Sequence, residues 1–169
     1  DPLYSTPSFL DAWFQAVRKA SDDHGIKVVN LYSGHGTYST IGLAHHDASV
    51  REHLIRNWVQ PMIRMATRLN ANLGFFAHAF PEEVLSDPDL YQRNRNQLIE
   101  HIREIARFAR QTGVQQLGIE QMYSPNQIPW TIECARQFLL GCNATRDACP
   151  VYLTLDTGHA SGQTDYLPP

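Results

Sequence analysis

Apolar residues follow two alternating rhythms along the chain. Short, nearly continuous apolar runs occupy residues 27–32, 73–77, 116–120 and 151–156. Each is rich in β-branched, leucine or aromatic side chains. Such runs suit parallel strands covered on both faces better than half-exposed antiparallel ones. Between them the apolar positions recur at helical spacing. Leu10, Trp13, Phe14, Val17 and Ala20 form the stripe of a first helix, which Ser8 is placed to cap. Leu54, Ile55, Trp58, Met62, Ile63, Ala66 and Leu69 form a second over residues 50–69, where Pro61 predicts a kink or a restart. A third spans residues 88–112, with Leu90, Leu98, Ile102, Ile105, Ala106 and Ala109 inward and Gly113 as its stop. A fourth starts near Pro129, a residue suited to a first helical turn, and ends at about Leu140.

The order is therefore α-β-α-β-α-β-α-β. Such alternation predicts an α/β fold with a parallel sheet and right-handed crossovers, either an open doubly wound sheet or a closed barrel. No Gly-x-Gly-x-x-Gly follows the first strand, which argues against a dinucleotide site. No low-complexity linker divides the chain, so residues 1–169 read as one domain.

Composition narrows the partners rather than the fold. The chain is 43% hydrophobic and 18% charged, as in ordinary globular proteins. A formal net charge of −3, without a basic patch, points away from nucleic acid. No apolar run is long enough to cross a membrane, and no signal peptide is visible, so the cytoplasm is the expected compartment. The chain opens on Asp1-Pro2 without an initiator Met, so upstream residues can be missing. Cys134, Cys142 and Cys149 lie eight and seven residues apart with no Cys-x-x-Cys, which reads as incidental thiols rather than a zinc or disulfide framework.

The informative feature is what ends each strand. The first run leads into Ser33-Gly34-His35, the second into His78; the third ends at Glu120, and the fourth at Asp156 followed by Thr157-Gly158-His159. In parallel α/β folds ligands bind at the C-terminal strand ends, where the loops converge. Carboxylates with imidazoles there suit a divalent cation. Each residue has a plainer alternative. Glu120 can be a solvated carboxylate or an arginine partner, and Asp156 can simply cap its turn. His78 can bond a carbonyl, and His35 can belong to an ordinary glycine-flanked turn. For Glu120 after Leu-Gly-Ile, and for Asp156 with His159 three residues on, function is the favoured reading. His24, His45, His46, His53 and His101 fall in helices or a polar loop and read as surface residues. Glu82 and Glu83 after Pro81 suit a helix N-terminus. Residues 34–40 form a glycine- and hydroxyl-rich loop that suits a small polar ligand, or nothing in particular.

Leu117-Gly118-Ile119-Glu120, followed one helix later by Leu155-Asp156-Thr157-Gly158-His159, resembles the xylose-isomerase-like (β/α)8 TIM barrel superfamily, and within it the sugar and sugar-phosphate isomerase/epimerase branch. The resemblance implies that the chain is a partial barrel, about four βα units corresponding to strands 3 to 6. It implies Glu120 as metal ligand and acid/base, Asp156 as second metal ligand, and His159 as a substrate contact beside the metal; His78 and His35 face the same mouth as further substrate-binding candidates. The cofactor it implies is Mn²⁺, Mg²⁺ or Co²⁺, with Zn²⁺ less suited. The reaction it implies is proton transfer through an enediolate on a small sugar or sugar phosphate, in a protein free of nucleic acid and membrane, with a homo-oligomer open. The family's further histidine and glutamate, from the seventh and eighth strands, have no counterpart after His159. The alternatives are an endonuclease IV-like zinc repair nuclease, an inosose dehydratase-like lyase, a non-catalytic barrel that binds a partner, and an unrelated open α/β sheet.

Overall fold

Helix α1 (Pro7–His24) starts where the Thr6 hydroxyl accepts the Phe9 N–H, with Pro7 in the first turn. The cap is Thr6 rather than Ser8, because the missing N–H of Pro7 is harmless only at the first helical position. In this computed structural model residues 2–32 and 42–166 are described. Within α1 only Phe14 is buried, and the Arg68 guanidinium lies 3.8 Å over its ring. Trp13 in the same stripe stays 38% exposed.

Strand β1 (Asn30–Tyr32) is shorter than its apolar run, and Val29 just before it is exposed. The second helical region holds α2 (Ala48–Leu54), a π-helical turn (Ile55–Val59) and α3 (Gln60–Arg68). Pro61 explains the turn. A proline has no N–H for the carbonyl four residues back, and a wider turn just before it absorbs the mismatch. The Gln60 N–H accordingly reaches Ile55 O, five residues back. The path continues through the proline without a break.

Next come β2 (Asn72–Phe75), the two-residue β3 (His78–Ala79), a single-turn α4 (Glu82–Leu85) and α5 (Pro88–Thr112). Helix α5 has the bounds the pattern predicts. The Asp87 carboxylate accepts the N–H groups of Asp89 and Leu90, and Gly113 closes the helix at φ 106°. Its face of Leu98, Ile99, Ile102, Ile105, Ala106 and Ala109 is buried. Then follow β4 (Leu117–Glu120), β5 (Gln127–Ile128), α6 (Ile132–Cys142), β6 (Val151–Thr154), α7 (Thr157–Gly162) and a 3-10 turn (Gln163–Asp165). Helix α6 begins later than expected. Thr131 caps it through the Cys134 N–H, and Pro129 sits ahead of it after a cis peptide bond.

The four expected strands form one parallel sheet in the order β1-β2-β4-β6. The register sets Leu31 beside Leu73, Leu73 beside Leu117 and Leu117 beside Val151. These residues, with Phe75 and Ile119, pack into the core together with Ile63, Ile102, Ala106 and Phe138 from the helices. Side chains alternate along a strand, so Tyr32, Gly74, Gly118, Glu120, Tyr152 and Thr154 share the other face. An atom built as Cβ on Gly118 would meet Thr154 Oγ1 at 2.5 Å, which fits that assignment. A second, antiparallel sheet joins only β3 and β5, pairing His78 with Ile128 and Ala79 with Gln127. Among the described residues, β1 and β6 each have a sheet neighbour on one side only, and no helix is long and apolar enough to cross a membrane.

Candidate functional site

Among the described residues the buried polar and charged ones are His78, Glu120, Gln121 and Ser124, and all lie at or just beyond the C-terminal ends of β2 and β4. Burying such groups costs free energy unless hydrogen bonds, charge or a ligand compensate it. Glu120, the last residue of β4, is 7% exposed. Its carbonyl-side neighbour Gln121 donates its backbone N–H to Thr154 O, which locks the end of β4 against β6.

Asp156 caps a helix with one carboxylate oxygen and turns the other toward His159. Its Oδ1 accepts the N–H groups of Gly158 (2.7 Å) and His159 (3.2 Å), capping α7. These two backbone bonds hold its carboxyl below the usual aspartate range. Its Oδ2 faces the imidazole of His159, 3.8 Å from Nε2. The cap aims the second oxygen inward rather than competing with it.

The His159 ring is fixed by its own contacts. Nδ1 lies 2.7 Å from Gln121 O. A carbonyl only accepts, so Nδ1 carries a proton and Nε2 faces Asp156. Glu120 Oε1 lies 3.7 Å from Nδ1. The Tyr123 ring packs against the imidazole with centroids 5.0 Å apart, and the Gln163 amide donates to Met122 O at 3.1 Å, bracing the loop after β4. Gln121, Tyr123 and Gln163 escaped the sequence reading. Gln121 acts through its backbone, and the other two lie in segments with no repeating pattern.

One ligand atom each from Glu120, Asp156 and His159 lie within 4.8 Å of one another. Ligands about 2.0–2.6 Å from a shared cation stand no more than about 5 Å apart, so the spacing of the three is compatible with one divalent ion. Two carboxylate oxygens and one imidazole nitrogen suit the Mg²⁺ to Zn²⁺ range.

His78 stands apart from this cluster. It is 4% exposed, packs edge-on to Phe80 with centroids 4.6 Å apart, and accepts the Ala44 N–H at Nδ1 over 3.4 Å. Burial, then the charge of nearby His45, pushes its pKa down to about 4, so it is neutral at pH 7. Gly42 is the residue that lets the loop close over it, since a Cβ there would fall 1.3 Å from His78 Nδ1. The ring borders a cavity of about 610 Å³ together with His45, His46 and Arg51. His24, His46 and His53 are exposed as expected, whereas His45 is half-buried and His101 anchors the loop through Leu43 O at 2.9 Å. His35 lies outside the described residues. All three cysteines are free, and burial raises the Cys142 thiol to about 12 and that of Cys149 to about 11, far from nucleophilic thiols.

A parallel β/α sheet with a carboxylate–imidazole cluster at its C-terminal strand ends defines a β/α-barrel protein with a candidate metal site at the barrel mouth. The model of the xylose isomerase-like TIM barrel family matches residues 2–168, and the chain belongs to that family. Two crystal structures share the fold. A "putative xylose isomerase" from Rhodospirillum rubrum is 19% identical, with a TM-score of 0.77 over 88% of this chain and 49% of that one. A D-tagatose 3-epimerase-like protein is 18% identical, with a TM-score of 0.70 over 87% of this chain and 51% of that one. The chain thus spans about half the length of these relatives and carries about half of their barrel. None of the curated proteins matches it.

Proposed function

We propose that the chain supplies the metal-binding half of a sugar or sugar-phosphate isomerase/epimerase. The observation that carries this reading is the approach of Glu120, Asp156 and His159 to within 4.8 Å at the mouth of a xylose isomerase-like barrel. Glu120 and Asp156 would hold the ion. A divalent cation bound there supplies positive charge beside the carbonyl and hydroxyl oxygens of a ketose or aldose, with Mn²⁺, Mg²⁺ or Co²⁺ preferred to Zn²⁺ for an oxygen-rich set.

Glu120 takes the proton from the carbon next to the carbonyl. The electron pair left by the C–H bond moves into a carbon–carbon double bond, and the carbonyl π pair moves onto oxygen, giving an enediolate. Inversion of the carbon needs a second acid on the opposite face to deliver the proton, a role open to the family's further glutamate; aldose–ketose exchange returns Glu120's proton to the neighbouring carbon while the hydroxyl proton of one oxygen passes to the other. His159 contacts a substrate oxygen beside the ion, its ring orientation set by Gln121 O. Burial of Glu120 keeps bulk water from its carboxylate. The repair-nuclease alternative uses early-strand histidines around its zinc cluster, and the separate position of His78 speaks against it.

The test is Glu120→Gln in the protein, assayed against a panel of ketoses and their phosphates with added Mn²⁺. Turnover is expected to fall at least 10³-fold, on the scale of general acid–base catalysis, at unchanged melting temperature. Most of the activity surviving would remove Glu120 from the role of base.

A further inference from the structure

The cavity beside His78 is lined by donors that no part of the proposed proton transfer uses. The Asp47 N–H donates to His45 Nδ1 at 3.1 Å, and the Ala44 N–H donates to His78 Nδ1 at 3.4 Å. With both Nδ1 atoms occupied as acceptors, each ring carries its proton on Nε2 and offers an Nε2–H. Arg51 holds the loop by donating from Nη1 to His45 O and to His46 O. Among the described residues its Nε and Nη2 have no hydrogen bond, and it has no carboxylate partner; neighbouring Glu52 pairs with Arg56 instead. The one carboxylate on the cavity rim, Glu83, is exposed. A sugar hydroxyl both donates and accepts, so it is matched by mixed partners. The amides of Asn94 and Gln97 in the same lining can donate or accept, whereas the guanidinium edge and the imidazole N–H groups add charge and donors that favour an anion.

We propose that this cavity is an oxyanion subsite, in which Arg51, His45 and His78 hold a phosphate or carboxylate carried by the substrate at the end remote from its reacting carbons. The site lies on the β1 and β2 side of the sheet, and the Glu120–Asp156–His159 cluster on the β4 and β6 side of the same edge. The cavity is lined by residues that follow β1 and β2, and the cluster by residues that end or follow β4 and β6, so both open at the C-terminal end of one sheet. What the anion is attached to rests on the isomerase/epimerase reading; the anion site itself does not.

Inorganic phosphate and acetate are titrated into the wild-type chain, Glu120→Gln, Arg51→Gln and His45→Asn, with binding followed by calorimetry and by the histidine ring signals in NMR. The Asn side chain keeps an acceptor near the place of Nδ1, so His45→Asn retains the Asp47 contact and guards against loss of the loop. Saturable phosphate binding is expected in the wild type and in Glu120→Gln alike. In Arg51→Gln and His45→Asn it should weaken about tenfold or more, as for lost charge-assisted bonds. Phosphate binding far more tightly than acetate assigns a phosphate ester, and the reverse a carboxylate sugar. Either supports the subsite. Unchanged affinity in both cavity variants, no saturable binding in the wild type, or binding lost in Glu120→Gln alone would overturn it. Failure of turnover on every sugar, with phosphate binding intact, would count against the reaction and not against this site.

Discussion

Asp156 gives one oxygen to a helix cap and turns the other toward His159, and substitution can separate the cap from the proposed ion ligand. Asn is as good an N-cap as Asp but lacks the charge. Asp156→Asn should therefore keep the melting temperature while bound Mn²⁺, measured by mass spectrometry of the dialysed protein, drops from about one per chain to near zero. Asp156→Ala should lose both. A fall in stability with Asn as large as with Ala would show that the charge, not the cap, supports the fold. His78 makes a pH prediction. Its folded pKa, about 4, lies below its ordinary 6.5. The unfolded chain thus binds more protons between these values, and stability falls as pH drops through that window, by at most about 3 kcal/mol. In His78→Gln the denaturant midpoint should lose its slope between pH 6.5 and 4; an unchanged slope would point to another group.

At the scale of elements, legibility followed local chemistry. Helix α5 could be read from Pro88 at one end and Gly113 at the other, because such end signals are local, while its Asp87 cap went unread. Glu120, Asp156 and His159 could be read because a polar group ending a buried strand needs a reason. The two-residue strands β3 and β5 could not, since neither is long enough to show a period. Nor could the cavity, where His45 and His78 meet across more than thirty residues of sequence. The Thr131 cap was missed because Pro129 drew the helix start ahead of it, and the Thr6 cap because Ser8, one residue past Pro7, was read as the cap. The cap at Gly113 gives a test of its own. A Cβ there would sit 3.6 Å from Thr67 Cγ2, an ordinary contact, so the cost of Gly113→Ala is the left-handed backbone. That cost should be about 1–2 kcal/mol in chemical denaturation; a neutral substitution would mean that the helix end readjusts freely.

At the scale of the molecule, the described residues form a four-stranded parallel sheet whose outer strands each have one neighbour, and the chain spans about half of its structural relatives. Leu155, just past β6, is 73% exposed, and Val29, just before β1, is 63% exposed. Open edges flanked by apolar residues promote association. The 169-residue chain on its own should self-associate as its concentration rises in analytical ultracentrifugation. Val29→Lys together with Leu155→Lys should shift it toward monomer, whereas an equally associated variant would place the contact elsewhere. The small β3–β5 sheet has a different consequence. It splints the loop that carries His78 to the loop that follows Glu120 and Gln121. Whatever stiffens one loop stiffens the other, so the entropy of ordering them is lost once. An anion in the cavity and an ion at the cluster would then reinforce each other's binding thermodynamically, with no change of shape needed to carry the message.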